Sequence, residues 1–415
     1  MKKLFTLSTA VLAVFSVFAA DEVSITWADP DVFFTAGAIS PNGKWVCGGQ
    51  SIWNLETGKM ITSDNTEIRL AAISNNGLAV GNMGDYALKM DADGNYELFD
   101  GMTFDYYSTS RSISGDGSII TGSRFDGSFH QTPCYWENGT YHQLPVPDVM
   151  EDMPAEVEIY SVAAGSISED RNVIVGNIIT GTGGEAFVMW TRNEAGEYEF
   201  HPLYAGLTEF GWELEKPYVQ TSSQCLSPNG KWVGMLLQLN SFDEFGYYAG
   251  RYNIETGEMV CMEYPEDDLA YFTGDYYATG ITDQGTVVGF LEQEGMLMGG
   301  RQGYIWPSDS KMPEFLSTYC GGNDEISELE SSDALVYTAI DGTGNLISGF
   351  RMTNGLTESF VININSDPSA VKAISTVQEG EKAMYDLQGR RVNGTPVPGI
   401  YILTEKGKTQ KVLVK

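Results

Sequence analysis

One short phrase recurs seven times along the chain and limits its fold more than any other feature. Each copy has an apolar and a small polar residue, a turn usually carrying Asn, Asp or Gly, an apolar run, and usually a final Gly. A phrase repeated every few tens of residues indicates a repeat architecture. The copies are AISPNGKWVCGG (38–49), AISNNGLAVGN (72–82), SISGDGSIITGS (112–123), SISEDRNVIVGN (166–177), CLSPNGKWVGM (225–235), GITDQGTVVGF (280–290) and AIDGTGNLISGF (339–350).

Each phrase predicts two strands joined by a tight turn. In the first copy, 38–40 and 44–46 have the apolar pattern of strands, and Pro41-Asn42-Gly43 supplies the turn. Most units continue with a third apolar segment centred on an aromatic and a fourth strand after a polar Gly turn. Four short strands in about 50 residues match one propeller blade. We therefore predict an all-β, seven-bladed propeller of four-stranded antiparallel blades; seven near-equal units disfavour the alternative, a pair of sandwiches.

The phrase also resembles a known family. The pattern [AS]-I-S-x-[DN]-G-x-x-V-x-G, followed by a strand ending in an aromatic and Trp, resembles the HAF-type extracellular repeat and, more distantly, WD-type blades. The resemblance covers roughly residues 36–365 and implies a propeller without implying an activity. We place the propeller at 21–365.

The last 32 residues differ from the repeats and carry net positive charge. The motifs YDLQGR (385–390), PGIY (398–401) and KVLVK (411–415) resemble the C-terminal sorting domain of the type IX (Por) secretion system of Bacteroidota. The resemblance implies export through that machinery, with surface attachment or release. We predict a linker at 366–382 and a small β-module at 383–415.

The amino terminus reads as an export signal. Lys2 and Lys3 precede an apolar stretch at 4–18, and Ala19-Ala20 offers a small-residue cleavage site. The stretch is short for a transmembrane helix. We expect residues 1–20 to be a signal peptide and the protein to be extracellular, on the outer cell surface or periplasmic, without a transmembrane segment.

The charge of the chain excludes one class of partner. The formal net charge is −32, although residues 371–415 carry eight basic and four acidic residues. Nucleic-acid binding requires a basic stripe, so nucleic acid is not an expected partner.

Catalytic and metal-binding motifs are sparse. The five cysteines are scattered, which favours buried thiols, and the three histidines lack metal-ligand spacing. The serines at one slot of the phrase are periodic, which favours hydrogen bonding within the turn over a nucleophile. Acidic pairs suited to glycoside hydrolysis occur in the long connections, where solvated loop charge is the simpler interpretation. The pairs are Asp100 with Asp105, Glu151 with Asp152, Glu213 with Glu215, and Asp267 with Asp268.

One short segment begins like a calcium loop. Asp91-Ala92-Asp93-Gly94-Asn95 has the opening spacing, but the position of the last ligand is Met102. A polar hairpin turn explains the segment without a metal. We expect no cofactor, with calcium at Asp91 and Asp93 as the alternative.

The aromatics separate into a repeated and a non-repeated group. Six tryptophans occupy repeat positions and are expected in the core: Trp53, Trp136, Trp190, Trp306, Trp45 and Trp232. Trp27 fits a strand that closes the ring. Trp212, Phe210, Tyr106 and Tyr107 lie in or beside variable connections, where a rigid scaffold usually carries its binding residues. These four are our candidate ligand-binding residues.

Three functions remain open. The first is a non-catalytic binding propeller for a glycan or an extracellular protein, exported through the C-terminal module. The second is a carbohydrate-active hydrolase or lyase that uses acidic residues in the propeller funnel, an argument from fold analogy. The third is a structural component of the cell surface.

Overall fold

The computed structural model describes most of the chain. It covers residues 23–32, 34–99, 107–125, 130–147, 159–180, 185–202, 226–240, 245–263, 274–293, 300–364, 383–385, 399–405 and 408–414. The chain divides into two compact units, of which Val23–Asn365 form one and the remaining residues the other.

The larger unit begins with β1 (Ser24–Trp27) and continues with four blades of four strands each. Their strands are β2 (Ala38–Ile39), β3 (Trp45–Gly48), β4 (Ser51–Asn54) and β5 (Met60–Thr62); β6 (Ile68–Ile73), β7 (Ala79–Met83), β8 (Tyr86–Met90) and β9 (Tyr96–Leu98); β10 (Tyr107–Ile113), β11 (Ile119–Phe125), β12 (Gln131–Glu137) and β13 (Thr140–Gln143); β14 (Ile159–Ile167), β15 (Val173–Thr180), β16 (Glu185–Arg192) and β17 (Tyr198–Pro202).

Blades 5 and 6 each have three strands and one single-residue bridge among the described residues. Leu226 bridges Val233 in blade 5, and Glu314 bridges Ile305 in blade 6. The strands are β18 (Trp232–Asn240), β19 (Phe245–Asn253) and β20 (Met259–Cys261), then β21 (Gly274–Ile281), β22 (Val287–Gln293) and β23 (Arg301–Trp306). Helices α1 (Leu316–Tyr319) and α2 (Asp324–Glu330) lead to blade 7.

The amino-terminal strand closes the ring. Blade 7 has the order β1-β26-β25-β24, made from β24 (Ala334–Ile340), β25 (Leu346–Thr353), β26 (Leu356–Asn363) and β1. Trp27 pairs with Phe360 in antiparallel register, as expected for a closing strand. The last blade is thereby completed by the first strand, which leaves the ring without an open seam. The predicted seven-bladed, all-β propeller is confirmed.

Each phrase turn is stabilised by its small polar residue. The Ser40 hydroxyl donates to Asn42 Oδ1 at 2.8 Å and accepts from the backbone N–H groups of Lys44 and Trp45. Ser114, Ser168 and Ser227 accept from the equivalent backbone groups. The periodic serines therefore satisfy backbone donors at the turns, as the sequence predicts.

We call the strand that precedes each phrase turn the inner strand of its blade. Five inner strands carry a β-bulge at the same place, two or three residues before the Ile of the phrase. The register shifts lie between Leu70 and Ala72, Ser110 and Ser112, Ala164 and Ile167, Ala278 and Gly280, and Tyr337 and Ala339.

The Gly that ends the phrase makes room for the bulged strand. A Cβ on any of these glycines would overlap a backbone carbonyl of the inner strand of the same blade. The overlapping pairs are Gly48 with Thr35, Gly81 with Arg69, Gly122 with Thr109, Gly176 with Ala163, Gly289 with Tyr277, and Gly349 with Val336. The Gly is thus required for close backbone approach.

The hydrophobic core lies largely between blades. Val80 of blade 2 belongs to the same cluster as Ile120 and Trp136 of blade 3. The four tryptophans of the third-strand slot are buried: Trp53, Trp136, Trp190 and Trp306. Each sheet therefore covers a face that its neighbour cannot bury alone.

Trp45 and Trp232 differ from those four. Both are half-buried, and each lies against the turn Gly of the following blade, Gly77 and Gly285 respectively. Both tryptophans lie at the junctions between adjacent turns, whereas the sequence predicts by default that they belong to the hydrophobic core.

The second unit contains a small antiparallel sheet. Its strands are β27 (Ala383–Tyr385), β28 (Gly399–Glu405) and β29 (Lys408–Val414), in that order. Within the described part of the chain, no helix is long and apolar enough to cross a membrane. No disulfide joins the described cysteines Cys47, Cys134, Cys261 and Cys320.

Candidate binding site in the central channel

The inner strands surround a common axis. Inner strands of adjacent blades contact each other, as β10 does with β6 and with β14. The apolar residue of the phrase narrows the space they enclose. A cavity of about 30 Å³, room for one or two waters, is lined by residues of six blades, among them Ile39, Ile73, Ile113, Ile167, Leu226 and Ile340.

Hydrogen bonds between turns close one end of this channel, which we call the turn end. Asn42 of blade 1 donates its backbone N–H to Asn75 Oδ1 of blade 2 at 2.8 Å. In the same way, Asn229 of blade 5 donates to Asp283 Oδ1 of blade 6 at 2.8 Å. The Asn75 amide also donates to Glu169 Oε1 of blade 4 at 2.6 Å, so this bond spans blade 3.

The carboxylates of the turn end are therefore engaged in joining blades. Burial raises the pKa of Asp283, and the negative charges of Glu169 and Asp341 add to this effect. A raised carboxyl pKa can mark a general acid. Here, however, both Asp283 and Glu169 accept hydrogen bonds from the turn of another blade.

The opposite side of the Ile ring, which we call the open end, is lined by the inner strands beyond their bulges. Along β10, exposure alternates, and Tyr107, Thr109 and Arg111 are more exposed than the residues between them. Tyr107 and Thr109 share one face of the strand because strand residues alternate in direction, and Arg111 is exposed at the bulge that follows them.

Arg111 occupies the bulge position of its strand. The residue is exposed as a whole, and desolvation by the surrounding protein atoms lowers the pKa of its guanidinium. Among the described residues it has no hydrogen-bond acceptor and no carboxylate partner. Arg69, on the adjacent inner strand β6, is also exposed and donates only to the backbone carbonyls of Thr66 and Ile68.

One of the four candidate ligand-binding residues is described. Tyr107 is 39% exposed, and its ring lies 6.4 Å from that of Tyr86 on blade 2. Trp212, Phe210 and Tyr106 lie outside the described residues, as do all eight residues of the acidic pairs. Their roles stay predictions.

The segment that resembles a calcium loop forms a polar turn. Asp91 Oδ1 accepts from the backbone N–H groups of Asp93 and Asn95, each at 2.9 Å, and the side-chain bond from Asn95 is the main cause of its lowered pKa. No group of three or more His, Cys, Asp or Glu side chains in the described residues is placed to hold a metal.

Arg111 and Arg69 are not among the candidate binding residues predicted from the sequence. The sequence offered one signal, the position of Arg111 in the repeat. When the copies are aligned on the Ile or Leu of the phrase, the same slot holds Gly37, Ala71, Gly165, Gln224, Thr279 and Thr338 in the other blades. A single charged residue among uncharged ones at a repeat slot identifies a candidate site only when the slot is known to be exposed on the inner strand. That exposure depends on the bulge, which the sequence does not predict.

Comparison with known proteins supports the fold alone. No protein-family model matches the chain, and no curated protein matches it in sequence. Among solved structures, an oligogalacturonate lyase from Vibrio parahaemolyticus is similar with a TM-score of 0.50 and 12% identity over 83% of this chain and 94% of that one. The propeller domain of the trilobed protease from Pyrococcus furiosus is similar with a TM-score of 0.40 and 11% identity, covering 92% and 98% of the two chains.

TolB from Acinetobacter baumannii is a further structure of this kind. It is similar with a TM-score of 0.38 and 11% identity over 67% of this chain. The aligned part spans 62% of the length of TolB. All three identities are low, and the likeness to the lyase, which has the highest TM-score of the three, supports the propeller fold and says nothing about a ligand of this chain.

Proposed function

We propose that this chain is an exported, non-catalytic binding propeller that captures a glycan or an extracellular protein at the open end of its channel. The observation that carries the proposal is the exposed side chain of Tyr107 at the start of β10, the inner strand of blade 3. An exposed aromatic on a rigid strand offers contact area at little entropic cost, which suits recognition.

The described carboxylates support binding over catalysis. A glycosidase requires two carboxylates about 5–10 Å apart and free to act on one bond. Glu169 and Asp283 lie at the turn end, where each accepts a hydrogen bond from the turn of another blade. Their visible role is to hold the ring together.

The enzyme alternative, a carbohydrate-active hydrolase or lyase, keeps one supporting observation. Burial and the charge of nearby Glu169 raise the pKa of Asp283, as in many general acids. The structural alternative, a cell-surface component, predicts neither ligand binding nor turnover.

A single panel separates the three functions. The purified full chain is applied to an array of neutral, uronate-containing and sulfated glycans and to immobilised extracellular proteins, and the soluble glycans are assayed for product. Binding without product supports the proposal. Product formation that Asp283→Asn or Glu169→Gln abolishes would establish the enzyme, and absence of both binding and product would favour the structural role.

We also propose that the C-terminal unit directs export. The support is the resemblance of residues 384–415 to a type IX sorting domain, together with the three-stranded sheet β27-β28-β29. Removing residues 366–415 should leave the propeller folded but retained inside the cell envelope. Unchanged appearance of the truncated protein outside the cell would contradict a sorting role.

A further inference from the structure

Arg111 is an isolated cation placed where a ligand can reach it. The bulge between Ser110 and Ser112 takes Arg111 out of regular pairing with β11, and bulges commonly redirect a side chain. The same slot holds uncharged residues in the other blades: Gly37, Ala71, Gly165, Gln224, Thr279 and Thr338.

Within the described part of the propeller, Arg111 has no carboxylate partner, in contrast to four other arginines. Arg171, Arg192, Arg301 and Arg351 each form an ion pair with a carboxylate. The chain has 56 acidic residues, so carboxylate partners are abundant. An anionic ligand would give Arg111 the kind of partner that these four arginines find within the protein.

The neighbouring groups on β10 are also unsatisfied. Among the described residues, the buried hydroxyl of Thr109 has no hydrogen-bond partner, and neither has the buried hydroxyl of its cross-strand neighbour Ser123. From Tyr107 to Arg111 the strand spans about 14 Å, long enough to contact several sugar rings.

We propose that this face of β10 binds an acidic oligosaccharide, with Arg111 pairing with a uronate carboxylate. The inference rests on the proposed binding function and specifies its ligand class. The planar guanidinium matches a carboxylate in bidentate geometry. Tyr107 packs against an adjacent ring, Thr109 pairs with a sugar hydroxyl, and Arg69 on β6 adds a second positive charge. The negative charge of the protein favours short uronate segments over a long polyanion.

The test compares ligands that differ by one charge. Binding of a uronate trisaccharide and of its methyl ester to the full chain is measured by calorimetry. The wild type should bind the free acid and bind the ester at least about tenfold more weakly. Equal binding of acid and ester would overturn the assignment of Arg111 while leaving the proposed binding function intact.

Two variants and a control locate the effect. Arg111→Gln should weaken acid binding about 10- to 100-fold, and Arg111→Lys should have an intermediate effect, because it keeps the charge but loses the planar fork. Lys59→Gln removes an exposed charge from the turn between β4 and β5 and should bind as the wild type does. All variants should keep the wild-type melting temperature, since Arg111 makes no contact that the fold needs.

Competition experiments test which chemical class of ligand the site binds. Inorganic phosphate that competes as well as the uronate would indicate a general anion site and would overturn the saccharide assignment. Binding of a peptide through its C-terminal carboxylate, without binding of the uronate, would overturn it as well. Unchanged uronate affinity in Arg111→Gln would show that the carboxylate is recognised elsewhere.

Discussion

Trp45 of blade 1 lies over Gly77 of blade 2, so close that a Cβ on Gly77 would fall 2.9 Å from indole atoms Cε2 and Cζ2. The same contact recurs between Trp232 and Gly285 of blades 5 and 6. Each turn glycine is therefore required twice, once for its positive φ and once for the space that the preceding blade occupies.

A pair of glycine substitutions separates these two requirements. Gly58 has φ +71° with nothing within 4 Å of its Cβ position, whereas Gly77 has φ +82° and faces Trp45. Gly58→Ala should cost about 1–2 kcal/mol, the cost of a left-handed non-Gly residue. Gly77→Ala should cost more in urea unfolding, and this excess should disappear in a Trp45→Ala background. Equal costs of both substitutions would contradict the contact.

The buried Trp190 tests the blade register. Its side chain is fully buried, and its indole N–H donates to the Pro145 carbonyl at 2.7 Å. Trp190→Ala should lower the free energy of unfolding by about 3–5 kcal/mol. Trp27, on the outermost strand and 40% exposed, is the control, and Trp27→Ala should cost clearly less. An unaltered unfolding midpoint for Trp190→Ala would be incompatible with this register.

The Gly that ends the phrase gives a third prediction. A Cβ on Gly176 would overlap the Ala163 carbonyl of the bulged inner strand. Its φ is not in the left-handed region, so an alanine cost arises from overlap alone. Because the obstacle is backbone, Gly176→Ala should cost about 3 kcal/mol, the upper end of overpacking penalties. A cost below that of Gly58→Ala would argue against the bulge at this place.

The buried carboxyl of Asp283 should make the free energy of unfolding of the protein depend on pH. Burial raises the pKa of the Asp283 carboxyl in the folded protein. The folded state therefore binds a proton more tightly than the unfolded state, in which the pKa of this carboxyl is about 3.9. Its contribution to stability is therefore present below that value and is lost as the pH rises through the folded-state value. Asp283→Asn keeps the acceptor for the Asn229 N–H and cannot ionise.

Chemical unfolding between pH 3 and pH 7 measures this effect. Asp283→Asn should be more stable than the wild type at pH 7, with the difference shrinking toward pH 3. A variant that is less stable at pH 7 would mean that the ionised carboxylate strengthens the turn ring.

The sequence was sufficient for the architecture because the phrase encodes turns and strands locally. The Ser40 slot, the turn glycines and the Trp190 slot each follow from backbone chemistry or amphipathic pattern, and blade number follows from counting. Closure by β1 was inferred from one residue, Trp27, without its register. The bulge and the glycine that accommodates it were not predictable, because both depend on how two strands approach in three dimensions.

The candidate site was only partly predictable for the same reason. Tyr107 was found as an aromatic beside a variable connection, which is a local signal. Arg111 and Thr109 become candidate binding residues only when their positions on β10, the inner strand of blade 3, are known. Trp45 and Trp232 contact turn glycines of the next blade that lie 32 and 53 residues further along the chain, so the sequence alone did not reveal these contacts.

The proposed function depends most on ligand capture at the channel. Substitution of two exposed tyrosines, one on an inner strand and one on an outermost strand, tests this directly. Tyr107 lies on the inner strand of blade 3 and is 39% exposed, while Tyr96 lies on the outermost strand of blade 2 and is 43% exposed. The glycan and protein panel is repeated with Tyr107→Ala and Tyr96→Ala in the full chain. We predict that Tyr107→Ala loses binding and Tyr96→Ala retains it; loss in Tyr96→Ala with full binding in Tyr107→Ala would contradict the account.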